Sequence, residues 1–352
     1  MLATLLLATA CSRIAVPEGW AGPTLAGDRL VASIGRGELA AVDIEDSSGR
    51  VAWRFPPQGQ KHPGGSKIEP VAIYSTPVVA DDTVFFGAYD GWLYALDLAT
   101  GDIRWQVDTG GPIVGSAVVQ DGVVYVGSDD GKLYAFDAEA GGLRWRFPTG
   151  NPIWSTPLVA DDVIYVASTD KKVYALDAAS GAEKWHFKAG GGLTSTPVIA
   201  DGTLLVGGMD RRLYALDAAS GEEKWHFKAD NWFWTRPLVV GDSVYAGSLD
   251  GKVYALHLND GSPKWAQPFP TGAPVRAAPL LLDDVLLVAN RKGELFGLNP
   301  EGGQAIWGPT ELARTVLADP LARGAMAYVS AQGGDLFTVN KDGTTALLVP
   351  TE

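Results

Sequence analysis

Cysteine, histidine and methionine are scarce in this chain of 352 residues, which contains one, four and three of them. The single cysteine, Cys11, cannot form an intramolecular disulfide, and it excludes a zinc site built from several thiolates. His186 and His226 occupy equivalent positions of a sequence repeat, which is typical of scaffold residues rather than of metal ligands. The sequence contains no nucleophile elbow, phosphate-binding loop or metal-spaced set of histidines and cysteines.

Basic residues are also in deficit, with 28 Lys and Arg against 41 Asp and Glu and a formal net charge of −13. A general electrostatic attraction to nucleic acid or to an anionic membrane surface is therefore not expected. Any anionic partner would need a local basic patch, and nucleic acid is not an expected partner.

Long apolar runs are missing, and the run Leu2 to Ala10 is too short to cross a bilayer. Cys11 follows it, which resembles a bacterial lipoprotein signal, although no Lys or Arg precedes the run and Ala8 stands where Leu is usual. The resemblance implies a signal peptide over 1–10, a lipidated Cys11, and a tether over 11–18. The chain would then be anchored to a membrane rather than span it. The alternative is an ordinary apolar N-terminus with a chance cysteine.

Glycine, proline and tryptophan are plentiful, at 43, 22 and 12 residues, which favours many short strands joined by tight turns. A tryptophan recurs with a spacing of 40 residues along the middle of the chain, and outlying copies extend the series in both directions. The repeated tryptophans are Trp53, Trp105, Trp145, Trp185, Trp225, Trp265 and Trp307. With a last copy that has Leu347 in the tryptophan position, the sequence contains eight repeats.

Each repeat is predicted to form four short strands. In residues 155–194 the runs STPLVA, VIYVAS, KVYALD and EKWHFKA are separated by Asp, Gly and Ser turns. Pairs such as Asp90-Gly91 and Asp130-Gly131 are strong hairpin signals, because both residues tolerate positive φ. Radially repeated four-stranded sheets form a propeller, so residues 19–352 are predicted to be an all-β, eight-bladed β-propeller.

The pattern A-x-D-x-x-[TS]-G-x-x-x-W resembles the pyrroloquinoline-quinone-like (PQQ-like) repeat, found in PQQ-dependent alcohol dehydrogenases and in BamB-like lipoproteins. The resemblance implies that the repeated tryptophans pack between blades. We expect a structural role for all seven, and for the turn aspartates Asp97, Asp137, Asp177 and Asp217, whose side chains would bond their own backbone.

The resemblance alone does not decide whether the protein is an enzyme. PQQ-dependent dehydrogenases typically are longer, carry an adjacent Cys-Cys pair, and supply a Glu, Asn and Asp set to calcium. This chain has no Cys-Cys. We therefore expect no catalysis, no metal site and no cofactor. A quinoprotein that binds PQQ with calcium is kept as the alternative.

Function is expected where one repeat departs from the others, because scaffold positions are the ones that recur. The first departure is the position three residues before the proline that opens each repeat, predicted to encircle one mouth of the channel. Its members are Trp20, Tyr74, Val114, Trp154, Thr194, Trp234 and Arg276, with Leu312 as the expected eighth.

Two further departures belong to the same loops. Trp232, Phe233 and Trp234 form an aromatic run that either contacts a partner or packs between blades five and six. Arg236, Arg276 and Arg314 form a basic sector that either attracts a carboxylate or bonds free carbonyls of the inner strands.

The first inter-blade loop is unusually long. Trp53 to Tyr74 spans 21 residues, whereas Trp145 to Trp154 spans 9. The additional segment contains Lys61, His62 and Lys67, and such a loop is either a binding element or a spacer.

These observations favour a non-catalytic lipoprotein of the bacterial envelope, on the periplasmic side of the outer membrane or the outer face of the cytoplasmic membrane. It would be a monomer that binds a protein or peptide as a scaffold, with BamB-like outer-membrane protein assembly as the specific version. A sensor for carbohydrate or another small ligand is a further alternative. The predicted partner-binding residues are Tyr74, Trp154, Trp232, Phe233, Trp234, Arg236 and Arg276.

Overall fold

The computed structural model describes residues 19–34, 37–44, 49–57 and 59–349. Cys11 and the segments 1–10 and 11–18, for which the sequence predicts a signal peptide and a tether, lie outside the described residues. In the described ranges the chain forms strands and turns, and no helix there has the length and hydropathy needed to cross a membrane.

The strands form eight sheets of four antiparallel strands each. Within every sheet the spatial order equals the chain order, so each sheet is a simple meander. The first strands of neighbouring sheets contact one another around the centre, as β1 (Thr24–Ala26) and β5 (Val78–Ala80) do. The eight sheets form a ring, which confirms the predicted eight-bladed β-propeller.

Blades 1 to 4 contain sixteen strands with the following bounds. They are β1 (Thr24–Ala26), β2 (Arg29–Ile34), β3 (Glu38–Asp43), β4 (Arg50–Phe55), β5 (Val78–Ala80), β6 (Thr83–Gly87), β7 (Trp92–Asp97), β8 (Ile103–Asp108), β9 (Val118–Gln120), β10 (Val123–Gly127), β11 (Lys132–Asp137), β12 (Leu143–Pro148), β13 (Leu158–Ala160), β14 (Val163–Ala167), β15 (Lys172–Asp177) and β16 (Glu183–Lys188).

Blades 5 to 8 follow the same plan. Their strands are β17 (Val198–Ala200), β18 (Thr203–Gly207), β19 (Arg212–Asp217), β20 (Glu223–Lys228), β21 (Leu238–Val240), β22 (Ser243–Gly247), β23 (Lys252–His257), β24 (Phe269–Pro270), β25 (Leu280–Leu282), β26 (Val285–Ala289), β27 (Glu294–Leu298), β28 (Ala305–Glu311), β29 (Leu321–Arg323), β30 (Met326–Ser330), β31 (Leu336–Asn340) and β32 (Thr345–Val349).

Burial explains the composition of each strand. The second and third strands of a blade, such as β18 and β19, are buried along almost their whole length, because neighbouring blades cover both of their faces. They are accordingly continuous runs of Leu, Val, Tyr and Ala rather than alternating ones. The outermost strand β20 alternates between exposed and partly or fully buried residues, since its edge faces solvent.

The repeated tryptophan clamps each blade to the next. The Trp145 indole Nε1–H donates to the Ala178 carbonyl at 3.0 Å, and its ring packs on Gly181 in the same turn. All seven tryptophans make this contact, and the acceptor residues are Leu98, Ala138, Ala178, Ala218, Leu258, Pro300 and Lys341. The fold thus uses one clamp at seven junctions.

The turn aspartates hold the glycine turns on which the tryptophans rest. The Asp177 carboxylate accepts hydrogen bonds from the Ser180 backbone N–H at 3.0 Å and from the Ser180 hydroxyl at 2.7 Å. These bonds hold the pKa of Asp177 below its usual range. Asp97, Asp137 and Asp217 accept backbone N–H groups in the same way.

The junction between blades 8 and 1 closes the ring differently. Leu347 occupies the tryptophan position of blade 8 and is 51% exposed. Blade 8 takes all of its strands from the C-terminal end and blade 1 takes all of its strands from the N-terminal end, so no strand is shared among the described residues. Apolar packing that includes Leu30, Tyr328 and Val349 closes the ring together with an Arg323–Asp28 ion pair at 3.0 Å.

Replacing Gly181 with alanine tests the clamp. Gly181 has φ +71, and a Cβ there would lie 2.6 Å from the Trp145 ring. We expect the free energy of unfolding to fall by about 1–2 kcal/mol because alanine disfavours the left-handed backbone conformation. The clash between the new Cβ and the Trp145 ring should lower it by about 1–3 kcal/mol more. Gly122→Ala is the matched control, because Gly122 has φ +69 and nothing within 4 Å of the added Cβ.

Urea unfolding of both glycine variants separates the two effects. For Gly122→Ala we expect only the destabilisation that comes from the left-handed backbone conformation. Equal decreases in the free energy of unfolding of the two variants would show that the Trp145 indole is not packed tightly against the turn.

Candidate ligand-binding site at the channel mouth

Seven inter-blade loops and the segment that precedes β1 converge on one mouth of the central channel. A cavity of about 110 Å³ there is lined by the residues three positions before the residue that directly precedes the first strand of each blade, which is proline in seven blades and Ala117 in the other. Its lining includes Trp20, Tyr74, Val114, Trp154, Thr194, Trp234, Arg276 and Leu317. The repeat therefore places one variable side chain from every blade around a single site.

The eighth member of this ring is Leu317, and the expected Leu312 was wrong. Leu312 lies directly after β28 and is buried in the core between blades 7 and 8. The loop before blade 8 continues beyond it, and Leu317 is the residue three positions before Pro320. The spacing of three residues to Pro320 would have identified Leu317 from the sequence.

The three consecutive aromatics of the loop before β21 have three different surroundings. Trp232 is 37% exposed on the rim, and Trp234 lines the cavity. Phe233 is only 1% exposed and packs against Phe227 and Tyr254 in the core between blades 5 and 6. Its prediction as a partner-binding residue is therefore corrected, because the side chain is covered by its own fold.

A repeat comparison explains why Phe233 is buried. The same position holds buried aliphatic residues before six of the seven other blades, namely Ile73, Ile113, Ile153, Leu193, Val275 and Val316, and Gly19 before blade 1. A glycine faces several of them, and a Cβ added at Gly207 would lie 2.5 Å from the Phe233 Cβ. The larger ring therefore fits a core position that a glycine leaves open.

Aromatic contacts connect much of the ring. Trp20 and Tyr74 have ring centroids 4.0 Å apart, and Tyr74 contacts the 47% exposed Tyr89 at 5.3 Å. On the other side, Trp154 and Trp234 lie 6.1 Å apart. The rim thus presents rigid aromatic surface around a small central opening.

A hydrogen bond fixes Trp154 in this ring. Its indole N–H donates to the Asp129 carboxylate at 2.6 Å. Burial raises the pKa of Asp129, and the hydrogen bond from Trp154 partly offsets that effect. Asp129 lies at the tip of the neighbouring hairpin, so this bond joins the inter-blade loop to blade 3.

Arg276 joins the two aromatic groups. Its guanidinium carbon lies 4.8 Å from the Trp20 ring centroid and 4.4 Å from that of Trp234. Arg276 makes no hydrogen bond or ion pair with any described residue, and its Nε is buried. Burial, with repulsion from Arg291, lowers the pKa of Arg276 to about 10. The mouth therefore holds a cation without a counter-ion from the described part of the chain.

The two other predicted arginines have carboxylate partners. Arg236 forms an ion pair with Asp319 at 2.9 Å, across the small Ala278 of the intervening blade. Arg314 does not line the cavity and pairs with Asp335 at 3.3 Å. Of the basic sector that the sequence predicted, Arg276 alone keeps an unpaired charge at the mouth.

Hydroxyl groups form the floor of the same site. The backbone N–H of Thr76 donates to the Ser116 hydroxyl at 2.8 Å, and that of Ser116 donates to the Thr156 hydroxyl at 2.9 Å. In blade 8 the Asp319 carboxylate takes this place and accepts the Ala278 N–H at 2.6 Å. The inner strands are thus joined by side-chain acceptors between blades.

The long first loop packs against blade 2. The His62 ring stacks on Trp92 with centroids 4.5 Å apart, and its Nδ1 lies 3.0 Å from the Gln106 Oε1. None of the described residues of this loop up to Ala72 lines the cavity. The described part of this loop therefore covers the side of a blade.

The described mouth does not fit PQQ held with calcium. Its cavity of about 110 Å³ is small beside the roughly 300–1,000 Å³ usual for small-molecule sites. Asp319, the carboxylate of the lining, already accepts hydrogen bonds from Arg236 and Ala278. Calcium requires about six or more oxygens, and the described residues contain no cluster of three or more His, Cys, Asp or Glu suited to a metal.

Several residues of this site were missed by reasoning from the sequence. Leu317 and Asp319 were overlooked because the last repeat is the most divergent, although Pro320 marks both positions. Tyr89 and Asp129 sit at equivalent hairpin tips, one blade apart. A comparison of the hairpin tips between repeats would have identified them.

The fold and the mouth together define a class of protein. Eight four-stranded blades, with a tryptophan clamp at seven of the junctions between them, form a PQQ-like repeat propeller, here with an aromatic mouth around one unpaired arginine. A family model described as outer membrane protein assembly factor BamB matches residues 12–116, 90–195, 188–310 and 283–346. These overlapping matches cover most of the chain, which therefore belongs to this family.

Solved structures agree on the fold. The crystal structure of BamB from Moraxella catarrhalis is 20% identical with a TM-score of 0.74, covering 90% of this chain and 92% of that chain. The computationally designed Ika8 protein is 14% identical with a TM-score of 0.78, covering 92% and 96% respectively. At these identities the likeness concerns the fold alone. A search of curated proteins found no match.

Proposed function

We propose that this protein is a non-catalytic envelope lipoprotein that binds a segment of another protein at the channel mouth, as a scaffold in outer-membrane protein assembly. The family supports the general role. The observation that carries the proposal is the mouth itself, where the unpaired Arg276 lies within a rim that exposes Trp232 and Tyr89. Aromatic residues and arginine are the side chains that contribute most to protein interfaces.

The proposed interface comprises the variable residues around the mouth. Tyr74, Trp154 and Trp234 supply rigid walls, and Trp232 supplies exposed contact area beside them. Arg236 positions Asp319 through their ion pair and contributes to the rim. Phe233 stabilises the same loop by packing into the core between blades 5 and 6. The repeated tryptophans and aspartates hold the blades and have no direct part in binding.

The anchor is part of the same proposal. Cys11 would carry the lipid, and the acidic body of the protein would remain on the periplasmic side of the outer membrane or at the outer face of the cytoplasmic membrane. The net charge of −13 disfavours nucleic acid and anionic lipid as partners of the propeller itself. We propose that the protein acts as a monomer and without a cofactor.

The role can be tested in a strain that lacks the gene. We expect the deletion to lower the abundance of β-barrel proteins in the outer membrane, and the wild-type chain to restore it. A chain with Trp232→Ala and Arg276→Gln is expected to leave abundance at the level of the deletion strain, because both changes remove rim contacts. Quantitative mass spectrometry of isolated outer membranes provides the measurement.

The matched control carries Ile306→Ala and Arg146→Gln. Both side chains are exposed on outermost strands, so the control loses the same charge and one apolar surface residue away from the mouth. The control should restore barrel proteins fully. Full restoration by the Trp232 and Arg276 double variant, at equal protein level, would contradict the proposed interface.

A further inference from the structure

Arg276 is held in an environment that is unfavourable for a charge without a counter-ion. Its guanidinium lies between the Trp20 and Trp234 rings, at 4.8 and 4.4 Å from their centroids. The rings provide cation–π attraction and keep the planar group in one orientation. The rings do not act as ordinary hydrogen-bond acceptors, and no described residue accepts a hydrogen bond from the guanidinium.

A second polar atom in the same cavity is also unsatisfied. The Thr194 hydroxyl oxygen is buried and has no hydrogen-bond partner. Four buried side-chain atoms in the described residues lack a partner, and two of them, in Arg276 and Thr194, belong to the lining of this cavity. Buried polar groups are normally paired, so an unpaired donor and an unpaired hydroxyl in one cavity indicate a missing polar ligand.

The charged residues of the cavity lining indicate that the missing ligand carries a negative charge. Arg236 and Asp319 neutralise each other at 2.9 Å, which leaves Arg276 as the uncompensated charge of the lining. Arg291 lies near enough to add repulsion to Arg276. An incoming anion would relieve both the missing counter-ion and this repulsion.

Cavity size restricts what can enter. A volume of about 110 Å³ is well below the roughly 300–1,000 Å³ of ordinary ligand sites. It suits a single short acidic group, while the exposed Trp232 and Tyr89 on the rim offer contact area to the chain that carries it. This combination favours an acidic side chain of a protein segment over a free organic acid.

We propose that Arg276 and Thr194 form a carboxylate-binding pocket that receives an aspartate or glutamate side chain of a partner protein. The planar guanidinium donates two parallel hydrogen bonds to the carboxylate, and the Thr194 hydroxyl donates to one of its oxygens. The apolar Val114 and Leu317 line other parts of the same cavity. This inference rests on the proposed function and names the chemistry of its partner.

Peptide binding to the full chain, purified in a mild detergent, tests the pocket. The probe is the N-acetylated, C-amidated pentapeptide Gly-Ala-Asp-Ala-Gly, compared with its asparagine counterpart and with sodium acetate. Equilibrium dialysis gives each dissociation constant. We expect the aspartate peptide to bind about ten-fold or more tightly than the asparagine peptide, because only the former pairs with Arg276.

Three variants assign the interaction to residues. Arg276→Gln should weaken binding of the aspartate peptide by about ten-fold or more, and Thr194→Val by about three-fold. Arg276→Lys keeps the charge but loses the two parallel donors, so it should bind more weakly than wild type and more tightly than Arg276→Gln. Arg146→Gln, with the same change in net charge, should bind as wild type does.

The outcomes separate this inference from the proposed function. Unchanged affinity in Arg276→Gln, or no binding of the aspartate peptide, would overturn the pocket, whatever the result of the outer-membrane experiment. Acetate that binds as tightly as the peptide would overturn the assignment to a protein segment. Arg276-dependent peptide binding together with normal outer membranes in the deletion strain would support the pocket and contradict the assembly role.

Discussion

Replacing Phe233 with alanine is expected to lower the free energy of unfolding by about 3–4 kcal/mol, whereas Trp232→Ala is expected to lower it by only about 1–2 kcal/mol. The two residues are adjacent and both aromatic. Phe233 is 1% exposed and packs on Phe227 and Tyr254, so its loss leaves a cavity between blades 5 and 6. Trp232 is 37% exposed, so its removal leaves an open surface groove that water can fill rather than a closed cavity.

Urea unfolding of the two variants, monitored by circular dichroism, measures the difference directly. Phe233→Leu is the useful intermediate, since leucine fills the equivalent position in the preceding blade at Leu193. It should recover a large part of the lost stability. If Trp232→Ala proves to be as destabilising as Phe233→Ala, the rim tryptophan is structural and the proposed interface loses its main exposed residue.

Replacing Trp225 with alanine is expected to cost about 3–5 kcal/mol. Its indole is 8% exposed, packs on Gly261 of the next blade, and donates to the Leu258 carbonyl at 2.9 Å. Trp225→Phe should cost less, because part of the packing survives while the Leu258 carbonyl loses its donor, a loss of about 1–3 kcal/mol.

Leu347→Ala is the control for the clamp, because Leu347 holds the same repeat position in blade 8. It is 51% exposed, and the predicted cost is about 1 kcal/mol or less. Comparable losses in Trp225→Ala and Leu347→Ala, measured by urea unfolding, would show that the indole contributes no more than a surface leucine. The difference in stability therefore measures what the tryptophan adds at a junction between blades.

The division between scaffold and site follows from these contacts. Seven tryptophans repeat one hydrogen bond and one packing contact, so their positions tolerate little variation. The ring of residues around the mouth has no such shared contact, and its members range from Thr194 to Trp234. A propeller can therefore change its ligand by changing this ring without altering the interfaces between blades.

The fold could be predicted from the sequence because its signals are local and repeated. A period of 40 residues, Asp-Gly hairpins and strand-opening prolines such as Pro157 each act within a few residues, and eight copies reinforce one another. The ring around the mouth could also be predicted, since one repeat position defines it. Its eighth member was misplaced at Leu312 because the spacing to Pro320, which directly precedes the first strand of blade 8, was overlooked.

The contacts of the mouth could not be obtained in this way. Whether Arg236 or Arg276 finds a carboxylate depends on Asp319, which is more than 80 residues from Arg236 along the chain and reaches it across blade 7. The stacking of Trp20 on Arg276 likewise joins the beginning of the propeller to its seventh blade.

The sequence by itself therefore determined the number of blades, the strands of each blade and the ring of variable residues around one mouth. Only the tertiary structure decided that Phe233 is core, that Arg236 is paired and that Arg276 lies unpaired between two indoles. The physical reason is that hydrogen-bonded turns and strands depend on neighbouring residues, whereas burial and charge pairing depend on which distant loops meet when the ring closes.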